Sequence, residues 1–266
     1  MKNLTKFFII ALGVTTFLLT GCTKTGCTDV YSLTYDIEAE EDDGSCEYPT
    51  LMAGFNFKVG TEDFAYGITY AVNGLATSFS LAQFYVSGTK LMEEDGSELS
   101  SFPEAYFLVK PDGGMYTLGE GKKAHAHMMT FDIGIDEATN SQSETDFASW
   151  PADHPLAAQS PSMHWNWNSG YIFLKLEGKY DSDGDGTPDT NFIAHTGTND
   201  LRRNVSLMVH KDIEQMMTHF MLDFNVAQLL NGVDLMVDNT THTFNNLPMA
   251  TKIMDNFTSA FTPAGH

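Results

Sequence analysis

From residue 53 onward the apolar residues recur at every second position more often than at helical spacing, and this alternation limits the fold more than any other feature. Ala53, Phe55, Phe57 and Val59 alternate with small or polar residues, as do Met129, Phe131, Ile133 and Ile135, then Phe220, Leu222, Phe224 and Val226. Successive side chains of a strand point to opposite faces, so such runs describe strands with one face in a core. Further strands are predicted at 78–88, 105–110, 170–178 and 204–210, separated by turn clusters at 94–97, 111–114 and 183–188. Many short alternating strands joined by Gly- and Asp-rich turns predict an all-β chain, an antiparallel β-sandwich. Two minor helices are predicted near the C-terminus. One is short, at 226–231; the other is where Ile253, Phe257 and Phe261 fall four residues apart.

The N-terminus has another character. Lys2 and Lys6 precede an almost wholly apolar stretch from Phe7 to Leu19, and Leu18-Leu19-Thr20-Gly21-Cys22 follows. A basic start, a short apolar run and a small residue before the cut describe a secretory signal, too short for a membrane-spanning helix. The ending resembles a bacterial lipobox, which implies cleavage before Cys22 and a diacylglycerol on its sulfur. Residues 1–21 then read as signal peptide, 22–50 as lipidated anchor and spacer, and 51–266 as the sandwich domain. The membrane is reached through lipid only. The expected address is the outer membrane of a bacterial envelope, with the periplasmic face favoured over the surface because Thr23, Lys24 and Thr25 begin no acidic run.

With Cys22 lipidated, Cys27 and Cys46 remain, and an exported chain most simply pairs them. They bracket a segment closing on Asp42-Asp43-Gly44-Ser45-Cys46-Glu47-Tyr48, read as a disulfide-stapled spacer. Loss of Lys2 and Lys6 with the signal leaves 12 basic side chains against 35 acidic ones, a net charge of −23. So acidic a chain is repelled by nucleic acid and by anionic membrane surfaces, and it attracts cations.

Two of the three tryptophans stand in Pro161-Ser162-Met163-His164-Trp165-Asn166-Trp167-Asn168-Ser169-Gly170-Tyr171. Imidazole suits copper or zinc, and thioether selects Cu(I), but one histidine makes no site. Met-x-Trp-x-Trp-x-x-Gly-Tyr, followed by Phe173-x-Lys175-x-Glu177-Gly178, is similar to the signature of the MbnP-like family, exported proteins associated with methanobactin and copper handling. Phe84-Tyr85-Val86-Ser87, Phe131-Asp132-Ile133-Gly134-Ile135-Asp136, Pro155-Leu156 and Phe192-x-x-His195-x-Gly197 resemble other family elements in the same order, over roughly residues 53 to 230. The resemblance implies a β-sandwich and a copper site built from histidines and a kynurenine made from a tryptophan by a dihaem peroxidase-type partner. Carried over, it makes His195 the best-matched ligand and Trp165 or Trp167 the residue oxidised, with His164 and Met163 as further candidates. The alternative is a cell-envelope interaction or adhesion module with no copper site.

Two further groups stand outside that signature. His125, His127 and Met129 share one face of a predicted strand, so His127 is a candidate to complete the copper site. In Asp181-Ser182-Asp183-Gly184-Asp185-Gly186-Thr187-Pro188-Asp189, alternate carboxylates suit a hard cation. The run resembles the calcium loops of thrombospondin type 3 repeats, with Asp181, Asp183, Asp185 and Asp189 as calcium ligands and a structural role. It departs from an EF-hand at loop position twelve, which is Phe192. There is no Gly-x-Ser-x-Gly, His-Glu-x-x-His or Gly-x-Gly-x-x-Gly and no assignable acid–base pair, so a non-enzyme is expected.

Overall fold

The computed structural model describes residues 23–165 and 170–265; Cys22, the signal segment and Trp167 lie outside the described residues. The alternating segments form two sheets. The larger runs in the order Arg203–Asp212, His125–Ile133, Leu75–Met92, Leu174–Tyr180, Thr190–Thr196, Thr240–His242. Leu75–Met92 is its long central strand and also pairs with Thr69–Val72, Glu98–Phe102 and Phe107–Val109. The smaller sheet runs Phe261–Pro263, Met217–Asn225, Thr50–Val59, Glu62–Asp63, with Met115–Glu120 also on Thr50–Val59.

The sheets face one another across one apolar core. Phe55 of the smaller sheet meets Phe84 and Phe131 of the larger edge-on, with ring centroids 6.3 and 6.1 Å apart. Each such buried ring contributes about 1.5–3 kcal/mol, and a T-shaped pair adds about 0.5–1.5 kcal/mol. This is the sandwich that alternation predicts. Most pairings are antiparallel, but Met217–Asn225 lies parallel to Thr50–Val59, and Thr240–His242 parallel to Thr190–Thr196. Alternation is blind to strand direction, because both arrangements keep the period of two.

The predicted helices are partly redrawn. Residues Val226–Leu230 form a 3-10 turn, and an α-helix spans Leu247–Asn256 with the Asn246 side chain accepting the Met249 N–H at its start. Phe261 belongs to a strand on the Met217–Asn225 edge rather than to the helix. Two further short helices, Glu137–Asn140 and Glu144–Ser149, lie in the connection between His125–Ile133 and Leu174–Tyr180, the second opened by a Ser143–Asp146 capping box.

That connection places the site. Tyr85 follows core-facing Phe84 and so points to the outer face of the larger sheet, yet it is fully buried. Its hydroxyl donates to the Pro155 carbonyl at 2.9 Å, and Tyr171, packed against it at 5.7 Å, donates to the Leu156 carbonyl at 3.0 Å. The described residues of the 134–173 segment therefore cover part of the outer face. Before the sandwich, Cys27 and Cys46 form the disulfide, and the Tyr31 carbonyl accepts the Lys123 N–H at 2.8 Å, seating the small module on the chain just ahead of His125. No helix among the described residues is long and apolar enough to cross a membrane.

Candidate metal centre

One cross-strand row of the outer face carries the chemistry. Register sets Gln83 opposite Lys175, Lys175 opposite His195, and His195 opposite His242. The His195 and His242 rings lie 5.0 Å apart at 69°, too tilted to stack, and Trp165 stands 6.2 and 6.1 Å from them. Three side chains from three segments thus converge at the edge of the covering connection.

The surroundings hold His195 in place. Its Nε2 is 2.7 Å from Glu177 Oε1, and the side chain is 12% exposed. A carboxylate on one imidazole nitrogen fixes the ring and leaves the other for a ligand, the arrangement usual at metal-bound histidines. Burial pushes the His195 pKa below its ordinary value; the Glu177 hydrogen bond opposes this, and the positive Lys175 reinforces it. Near neutral pH the imidazole is unprotonated, the form that binds metal. Lys175 is itself nearly buried, which lowers its pKa. Beside it, Gln83 Nε2 is buried with no hydrogen-bond partner among the described residues.

Backbone conformation places His242. Thr243 has φ 64°, a left-handed value costly for a β-branched residue. Its hydroxyl accepts the Gly197 N–H at 3.1 Å and donates to the His195 carbonyl at 3.4 Å. Gly197 cannot carry a side chain here: an added Cβ would stand 2.4 Å from the Tyr171 carbonyl oxygen and 2.8 Å from the Phe173 nitrogen.

The remaining candidates are dispersed. His164 lies between the rings of Phe147 at 4.5 Å and Tyr171 at 5.0 Å, and burial lowers its pKa. Met163 is buried in the apolar core. His127 lies on another strand pair, with His125 and His210. Asp181, Asp183 and Asp185 each offer an oxygen within 4.8 Å of one another, whereas Asp189 turns aside to accept from the Ser182 hydroxyl at 3.0 Å. Asp181 already accepts the N–H groups of Gly184 and Gly186, both at 2.8 Å. At this grouping the residue missed from the sequence is His242. Its signal was faint: a three-residue strand, Thr240–His242, in a polar stretch.

Placed against known proteins, residues 50–250 match the family model described as MbnP. This chain belongs to the MbnP family. Among solved structures it resembles MbnP from Methylosinus trichosporium, at 16% identity and a TM-score of 0.51, over 71% of this chain and 80% of that one. At that identity the likeness is one of fold. No curated protein sequence matches. The family match gives physical meaning to the motifs. In Phe192-x-x-His195-x-Gly197, Phe192 is core, His195 faces the candidate centre and Gly197 allows the close approach of 171–173. In Phe173-x-Lys175-x-Glu177-Gly178, Lys175 and Glu177 flank His195, and a Cβ on Gly178 would stand 2.1 Å from the Ser78 carbonyl oxygen.

Proposed function

We propose that this protein is a non-catalytic, lipid-anchored copper-handling protein whose metal is held by His195 and His242 beside Trp165. The observation that carries the reading is the grouping of two unstacked imidazoles and an indole around a carboxylate-anchored histidine. An interaction module without a metal site has no need of it. Imidazole ligands suit copper, and the metal is cargo.

The chain's own residues divide the work. His195 and His242 bind; Glu177 orients His195; Trp165 closes one side. Trp165 is the described candidate for oxidation by the dihaem peroxidase-type partner, which supplies the oxidant, and Trp167 is the other. Cleavage before Cys22 and lipidation there place the protein on the outer membrane, facing the periplasm. The aspartate loop at 181–189 would serve as a calcium staple leading into the strand that carries His195.

Titration of the mature protein with Cu(I) tests the reading. One tight equivalent is expected, lost in His195→Ala. No copper uptake, or uptake unchanged by that substitution, would contradict it. Intact mass of membrane-extracted protein tests the anchor: a diacylglycerol adduct absent from Cys22→Ser is expected.

A further inference from the structure

A second histidine group stands elsewhere on the larger sheet. His125 is aligned with Asp212 and Ala126 with Lys211, but Met128 is aligned with Met208. One residue lies between on the first strand and two on the second, so the Arg203–Asp212 strand bulges there. The bulge includes His210, whose φ of 40° is left-handed. Bulges bend the strand and re-aim a side chain. Here the His210 ring comes to 4.4 Å from His127, at 83°, and to 6.0 Å from His125.

The three imidazoles each offer a nitrogen, all within 4.8 Å of one another. His125 Nδ1 is 2.6 Å from Asp212 Oδ1, which assigns Nδ1 as the protonated nitrogen and leaves the Nε2 lone pair for a ligand. Met128, near this end, is paired with Met92, nine residues along the central strand from Gln83. At about 3.3 Å per residue, the group is on the order of 30 Å from the His195 row. It shares no residue with the copper centre.

We propose that His125, His127 and His210 form a second metal site, for a divalent ion of borderline softness such as Zn(II) or Cu(II). Three imidazoles supply the donor set such ions prefer, and a fourth position stays open to solvent. Asp212 is a positioning residue for His125. His125 and His210 are exposed and His127 is half-buried, so the ion exchanges with solution directly, whereas His195 is screened.

The test is Zn(II) titration of the mature protein against a chromophoric chelator, in a His195→Ala/His242→Ala background that removes the copper centre. One equivalent of Zn(II) is expected, abolished by either His127→Ala or His210→Asn, and weakened about 10- to 100-fold by Asp212→Asn. Asparagine tolerates left-handed backbone, so His210→Asn removes the ligand and keeps the bulge; circular dichroism and a thermal melt verify folding. No Zn(II) bound in the background protein, or binding indifferent to both His127→Ala and His210→Asn, would overturn the proposal. Either result leaves the copper reading to its own titration.

Discussion

The two histidine groups are built on the same sheet by opposite means. His195 and His242 meet because a three-residue strand returns parallel to Thr190–Thr196, and the 134–173 connection brings Trp165 beside them. His125, His127 and His210 meet through a bulge between neighbouring antiparallel strands, with two of the three in solvent. Each includes or adjoins a non-glycine residue at positive φ, Thr243 in the first and His210 in the second. Backbone held against its preference must be held by its surroundings, and it clusters where a side chain has to be aimed. A screened centre suits retention; an exposed one suits exchange.

The largest effect is expected at Gly197. Gly197→Ala forces the added Cβ against the backbone of 171–173, so a loss of roughly 3–5 kcal/mol is expected, read as a lowered chemical-denaturation midpoint with copper uptake abolished. Cys27→Ser with Cys46→Ser removes a closure worth roughly 3 kcal/mol in chain-entropy terms. Hydrogen exchange should then rise through the module and at 122–124, where Lys122 lies over the Tyr31 ring, while the proposed copper centre keeps its affinity. His242→Ala alone is expected to weaken copper about 100-fold, which is about 2.7 kcal/mol, and to leave Zn(II) at the exposed group unchanged.

The smallest effect is in pH. Burial lowers the pKa values of His154, in which nearby Asp153 opposes it, and of His164. The folded state therefore binds fewer protons than the unfolded chain just below the ordinary histidine value of about 6.5. Stability is full above that value and falls as pH drops below it. A thermal melt at pH 7 should exceed one at pH 5.5, and His164→Gln should narrow the gap.

How much of this the sequence disclosed follows from distance along the chain. Alternation at Phe55, Phe131 and Phe224 announced the sandwich because one face of each strand is buried locally. His195 was legible through its motif, whose phenylalanine and glycine are fixed by packing. His242 was not, since its partner lies 47 residues earlier and only the parallel pairing joins them. His210 was hidden for another reason: a bulge shifts register by one residue, which strand spacing alone cannot show. For the same reason His125 and His127 looked like companions of His195, while the fold sets them far away. Met163 read as a soft ligand because thioether chemistry says nothing about burial.

In the proposed function two imidazoles of this sheet edge hold copper. X-ray absorption at the copper edge, on His210→Asn protein loaded with one equivalent, counts them directly. At least two imidazole donors are expected, falling by one in His242→Ala. A copper shell without imidazole, or one unchanged after both His195 and His242 are replaced, would contradict it.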